Sequence, residues 1–481
     1  MDPKEKEVFA KEAENFAKFL TRASGSPFVA ASVVREMLLE AGFEELDEKA
    51  HWRLERGKRY FFTRNGAAVH AFAVGAQVEL ERVAFAVAGA HTDNPALRLK
   101  PRSLTAASGS VLASVETYGG GIWQTWFDRD LGVAGKALVR VPRADGRLEV
   151  QARVVSLKRP LLHIPTVAPH LDQPYANGFQ VNKEVHLRAL LADAETIKAA
   201  PGADAVLGAT MVARSGSAKH HPALVALVAR ELGVAPDAVV GLDLRLCDCA
   251  PATVGGLAGD YVCGQGIDNL NGTYCATTAL VRATADACLR AQAHVCLVNL
   301  FDHEECGSLS AQGAGANVVA DTIERIVRGL APDPCAVDAR ELALRAARRS
   351  LVLSADNSHA VHPNYSAKHP DLDPPMLGRG PVVKHNVNQR YASDAEGTAA
   401  VLLLAHAHGI PVQEFVIRQD TNCGTTIGPI TGAHTGIRTV DIGNAQLGMH
   451  SIRETVGAVD IEYMTRLIAA FFTDYSNIIL P

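Results

Sequence analysis

The chain has 481 residues, of which 48% are hydrophobic and 21% charged, and its formal net charge is −5. That balance is typical of a folded protein with a large core and excludes a disordered chain; the small acidic excess leaves no general basic face for nucleic acid. No apolar run reaches the roughly 20 residues of a membrane span, and the length suits either about three domains or one large α/β domain with an insertion.

The first residues, Met1-Asp-Pro-Lys-Glu-Lys-Glu7, are highly charged and precede Val8, Phe9, Phe16, Phe19 and Leu20 at helical spacing. This predicts a surface helix rather than a secretory signal, and hence a chain that stays in the cytoplasm where it is made. Ser26-Pro27, an apolar face through Leu38, and Gly42 predict a second helix with its N-cap, first-turn Pro and terminal Gly. Segments 59–63 and 67–74 flank Asn65-Gly66 and predict a hairpin, and 83–90 predicts a strand buried on both faces. From about residue 99 short alternating runs (110–118, 131–141, 148–157) predict an antiparallel module. The helix after His221-Pro222 is expected to return the chain to an α/β pattern. From Asp260 onwards helices are expected at 273–282, 340–349 and 460–472, and strands at 294–301, 351–354, 415–418 and 438–442. The fold class expected is α/β, a catalytic domain made of 1–97 and 240–481 with a β-rich domain inserted at 98–239. Nine cysteines, all beyond residue 246, form no Cys-x-x-Cys pair and read as small core residues in a reducing compartment.

The chemistry collects where the expected strands end. Glu304 and Glu305 follow the run 294–301, His91 follows 83–90 with Asp93 two residues on, Asp356 follows 351–354, and His450 follows 438–442 across a loop. Asp268 precedes a helix. Singly, each has an ordinary role: a strand-end His, an N-cap Asp, a turn-capping Asp, a His paired with Glu454. Together they share the carboxyl-end address where ligands of open α/β sheets gather. Two His and three carboxylates suit Zn²⁺ or Mn²⁺, with Co²⁺ also allowed, and exceed what one catalytic zinc with an open position takes. Two ions sharing a bridging carboxylate account for all five, which leaves Glu304 free as general base.

At these residues the chain strongly resembles the aspartyl aminopeptidase family of dinuclear zinc exopeptidases. The resemblance is carried by Ala90-His-Thr-Asp-Asn-Pro95, Tyr118-Gly-Gly-Gly-Ile-Trp-Gln-Thr-Trp-Phe-Asp-Arg-Asp-Leu131, Asp268-Asn-Leu270, Phe301-Asp-His-Glu-Glu305, the stretch from Ser354 to Tyr365, Gln389-Arg-Tyr-Ala-Ser393, Cys423-Gly-Thr-Thr-Ile-Gly-Pro429 and Met449-His-Ser-Ile-Arg-Glu454. It implies a three-layer α/β/α catalytic domain with an inserted dimerisation domain, and removal of N-terminal Asp or Glu from peptides. It also implies a cytosolic homo-oligomer, a dodecamer built from dimers. One metal ion would take His91 and Asp356, the other Glu305 and His450, with Asp268 bridging. Glu304 falls on the general base and Asp93 on the residue that orients the first His. Lys384 and Tyr391 fall on positions that meet the acidic side chain of the substrate. His170 falls on a His lent to a neighbouring subunit's site, and His362, like His359, lies beside Asp356 where it can line the pocket. Ile267, Cys306 and Asn422 depart from frequent family residues without removing a ligand or the base. The alternatives are a broad-specificity aminopeptidase or amidohydrolase on the same fold, and a non-catalytic assembly subunit.

Overall fold

The computed structural model describes residues 2–172, 178–199, 219–333 and 338–478. Its spine is a nine-stranded sheet in the order Glu44–Glu45, Arg59–Arg64, Ala68–Val74, Val295–Phe301, Phe85–His91, Leu351–Ala355, Arg438–Gly443, Val382–His385, Gln413–Val416. The four strands from Val295–Phe301 to Arg438–Gly443 run parallel, so their carboxyl ends open on one edge. Antiparallel strands close this block on both sides: Ala68–Val74 pairs with Val295–Phe301, and Val382–His385 with Arg438–Gly443.

Alternation along these strands builds two cores. Ala86, Ala88 and Ala90 of the strand Phe85–His91 join Cys296, Val298, Leu300, Leu351 and Leu353 against the helices Pro3–Ala23, Pro27–Glu40, Ile267–Ala283 and Ala458–Asp474. Phe85 and Val87 point the other way, with Val295, Leu297 and Val352, against Val318–Leu330 and Ala339–Arg348. Helices on both faces of a mainly parallel sheet make the three-layer α/β/α architecture expected. Each large side chain buried in these cores contributes about 1.5–3 kcal/mol. The N-terminal helix is more than a surface element, because Phe9, Phe16, Phe19 and Leu20 are buried while Val8 remains exposed.

The hairpin forms as predicted, with Asn65 and Gly66 at φ 54° and 67°. A separate six-stranded antiparallel sheet runs Leu148–Leu162, Leu131–Pro142, Val239–Asp248, Ala96–Ala107, Ser110–Tyr118, Ala189–Asp193. It extends past both ends of 98–239. Val239–Asp248 pairs along its length with Leu131–Pro142, which ties residues 240–248 to this sheet. The helix Pro222–Glu231 belongs here too: Leu224, Val225, Val228 and Ala229 pack with Leu131, Val133 and Leu244, so the helix does not return the chain to the α/β layers. A five-stranded sheet absent from the expectations joins Thr253–Gly255, Tyr261–Gly264, Glu454–Gly457, Ala445–Leu447 and Ser358–His359. No helix among the described residues is long and apolar enough to cross a membrane.

Candidate metal centre

The carboxyl ends of the parallel strands deliver the cluster. His91 is the last residue of Phe85–His91, Asp356 follows Leu351–Ala355, and a short turn after Val295–Phe301 presents Glu304 and Glu305. Asp268 lies in the first turn of Ile267–Ala283 but with non-helical dihedrals, φ −82° and ψ 105°, and the N-cap place is taken by Gly266. His450 sits in the turn between the antiparallel strands Ala445–Leu447 and Glu454–Gly457.

The two imidazoles face the same acid. His91 Nε2 lies 3.5 Å from Asp268 Oδ1, 3.7 Å from Asp356 Oδ1 and 3.9 Å from Glu304 Oε2. His450 Nε2 lies 3.5 Å from Asp268 Oδ2 and 3.4 Å from Glu305 Oε2. Thus each oxygen of Asp268 addresses a different histidine, the arrangement a bridging carboxylate needs. The other ring nitrogens are fixed elsewhere. His91 Nδ1 lies 3.0 Å from the Asp93 carbonyl oxygen and 3.3 Å from Asp93 Oδ1, and His450 Nδ1 lies 3.2 Å from the Gly120 carbonyl oxygen. Partners of that kind select the tautomer and leave Nε2 free to ligate.

Asp93 also braces the acids: its Oδ1 accepts from the Glu304 N–H at 3.2 Å, and its Oδ2 from the Glu305 N–H at 3.1 Å and from the Tyr118 hydroxyl at 2.6 Å. Tyr118, which the sequence marks only as part of a motif, belongs to the site through its contact with Asp93. Gly119, at φ 71°, follows it, and a Cβ there would come within 3.2 Å of Glu305 Cβ.

Five carboxylates and two imidazoles converge in a largely buried space, where the His450 side chain is 30% exposed and that of Glu304 13%. Burial works to lower His91, but Asp268, Asp356 and Asp93 raise it well above the ordinary histidine value. Burial lifts Glu304 to about 8, opposed by His91 and reinforced by Asp356, Asp93 and Asp268. Burial and then Asp268 push Glu305 well above the usual carboxylate range. Excess buried negative charge needs cations. Asp268 Oδ1 and Glu305 Oε1 are buried without a hydrogen-bond partner, an arrangement that a bound ion would satisfy. Ligand atoms of His91, Asp268 and Glu305 lie within 4.8 Å of one another, as do those of His91, Glu304 and Asp356. The residues present therefore fit divalent ions, and Glu304 stands close enough to belong to the second group.

Lys384 is 1% exposed, and its Nζ donates to the carbonyl oxygens of Asp356 at 2.8 Å and Asn357 at 3.2 Å. It is a buried lysine and not a surface one. The Tyr391 ring centroid lies 4.9 Å from Nζ. His362 accepts from the Asn364 N–H at 3.2 Å and borders, with His359, Lys368, His369, Arg418 and Gln446, a cavity of about 280 Å³ that adjoins the His450 loop. Larger cavities of about 690 and 640 Å³ flank the edge strand Gln413–Val416 and contain none of the cluster, so chemistry and not size locates the site. His170 stands apart, on an exposed turn of the chain that follows Leu148–Leu162, with no hydrogen bond to the cluster among the described residues.

A Cβ at Gly443 would lie 1.7 Å from the Asp356 carbonyl oxygen. Gly443→Ala is therefore expected to displace the Asp356 backbone and cost about 1–3 kcal/mol of stability. Denaturant unfolding of the metal-stripped protein measures this, and zinc affinity should fall with it.

A family model described as aminopeptidase I zinc metalloprotease (M18) matches residues 19–472. An aspartyl aminopeptidase of Aspergillus oryzae is 41% identical over 97% of this chain and 96% of its own length. Another of Dictyostelium discoideum is 39% identical over 98% of each. Among solved structures, that of the Ape4 and Nbr1 complex matches with TM-score 0.90 and 37% identity, over 97% of this chain and 86% of the other. The mApe1 dodecamer of Saccharomyces cerevisiae matches with TM-score 0.81 and 27% identity, over 98% of both chains.

Proposed function

Because the chain belongs to the aminopeptidase I zinc metalloprotease (M18) family, we propose that it is a two-metal aminopeptidase that removes N-terminal Asp and Glu from peptides. The observation that carries the dinuclear reading is Asp268, whose two oxygens address His91 and His450 separately. His91 and Asp356 would hold one ion and Glu305 and His450 the other, with Asp268 serving both. Bound there, the two ions would supply Lewis acidity.

The chain's own residues do the rest. Glu304, its backbone held by Asp93 and its side chain 13% exposed, takes the proton of the attacking water and returns it to the leaving nitrogen. Asp93 orients His91 and Tyr118 completes the brace. An ammonium carries three N–H donors, and two of those on Lys384 go to backbone carbonyls. The third meets the substrate's acidic side chain, with Tyr391 beside it and His362 on the pocket wall. Neutral side chains would leave that buried cation without its partner, which is how an apolar residue is rejected. His170 reaches the site of a neighbouring subunit in a homo-oligomer, a dodecamer built from dimers that form through the inserted domain, working in the cytoplasm.

The selectivity is tested with matched chromogenic amides of Asp, Glu, Leu and Arg. Hydrolysis of the Asp and Glu amides at least about 100-fold faster than that of Leu or Arg agrees with the cost of an unpaired buried charge. Faster cleavage of Leu or Arg would leave the metal centre standing and remove Lys384 from specificity. No cleavage of any amide by the zinc-loaded protein would favour the assembly subunit.

A further inference from the structure

Glu454 is a buried carboxylate to which the proposed chemistry gives no task. It opens the strand Glu454–Gly457 and is 1% exposed. Its Oε1 accepts from the backbone N–H of His450 at 2.8 Å and from Gln446 Nε2 at 3.4 Å, and its Oε2 accepts from the backbone N–H of Asp268 at 3.1 Å. One side chain thus ties the turn that carries His450 to Asp268, which precedes Glu454 by 186 residues in sequence. The sequence alone suggested a pairing of Glu454 with the His450 ring. Instead the ring turns its Nε2 towards Asp268 and Glu305, and Glu454 holds the backbone.

Two further observations make this more than core packing. First, Asp93 does the same on the opposite side, accepting from the N–H groups of Glu304 and Glu305 with its two oxygens. Second, His450 has φ 67°, a left-handed conformation that a non-glycine residue keeps only where its surroundings hold it. We propose that Glu454 is a positioning residue whose two oxygens fix the backbones of Asp268 and His450, and through them the metal position these share with Glu305. The proposal rests on the two-metal reading above. It predicts that the Glu305–His450 position, which Glu454 reaches through both backbones, depends on Glu454 strongly, and that the His91–Asp356 position, which it reaches through Asp268 alone, depends on it only weakly.

Glu454→Gln tests it, because the amide keeps the size but turns an NH₂ towards one of the two donors. Zn²⁺ alone is titrated by calorimetry into the full chain stripped with chelator. The wild-type chain is expected to take two ions. Glu454→Gln is expected to weaken one position about 10–100-fold, the usual cost of losing a partner that orients a ligand, and to leave the other within about threefold. Excess zinc should then restore hydrolysis of the Asp amide. His450→Ala removes the strongly dependent position, so His450→Ala/Glu454→Gln should stay within about threefold of His450→Ala at the surviving one, the non-additivity of groups acting as a unit. Two wild-type affinities in Glu454→Gln would overturn the proposal. So would equal loss at both positions with a lowered melting temperature that zinc does not rescue, or a larger loss than that in the double variant. A wild-type chain that takes fewer than two ions would overturn the two-metal reading itself, and the proposal with it.

Discussion

Glu304→Gln is expected to lower kcat about 10²–10⁴-fold while both metal ions stay bound and KM for an Asp amide changes little. Glutamine fills the same space and is held by the same Asp93 contact to the residue 304 N–H, but it cannot take a proton. At the middle of that range the loss corresponds to about 4 kcal/mol in the barrier. The measurement is steady-state kinetics together with metal content per chain, and the second readout matters. Glu304 Oε2 lies 3.9 Å from His91 Nε2 and shares a possible ligand group with Asp356. Were Glu304 a ligand, the variant would lose an ion along with its activity; full occupancy with lost turnover identifies a base.

Asp268→Ala is expected to be the most damaging change to metal binding, because it removes the one side chain among the described residues that faces both histidines. Both positions should weaken by more than the roughly 10–100-fold that loss of an orienting partner costs, and hydrolysis should vanish at any zinc concentration the protein tolerates. His450→Ala should empty only its own position. Zinc titration of the two variants side by side separates a bridging acid from a terminal one. Equal damage from both would mean that Asp268 serves a single ion.

The cluster was legible in the sequence because its residues sit at strand ends, and strand ends are marked by where an apolar run stops. Phe301 gives way to Asp302-His-Glu-Glu305, Ala90 to His91, and Ala355 to Asp356. His450 follows no such run directly. Its position comes from the hairpin of Ala445–Leu447 with Glu454–Gly457, strands of three and four residues too short to show a period. The same brevity concealed the five-stranded sheet and, with it, the task of Glu454. Asp268 taken singly reads as an N-cap, because a carboxylate before a helix usually is one; its company of strand-end acids and histidines marks it as a ligand, and the fold turns its oxygens towards two histidines. Val239–Asp248 escaped notice for another reason: Gly241, Asp243 and Arg245 interrupt its apolar residues, and Arg245 is buried beside the Tyr118 ring, 3.9 Å from its centroid, where a strand facing water would have exposed it. The helix Ala395–Ala407 is apolar on most of its surface, so it lacks the one-sided stripe that marks a helix in sequence.

In the proposed reaction two ions and Glu304 act together. Stepwise withdrawal of zinc from the purified full chain with chelator tests this, counting ions per chain by elemental analysis and following hydrolysis of the Asp amide at each step. Two ions per chain are expected at full activity, with most activity lost on removal of the first ion and recovered on return of zinc. Full activity with one ion per chain, or with none, would rule out the two-ion reaction.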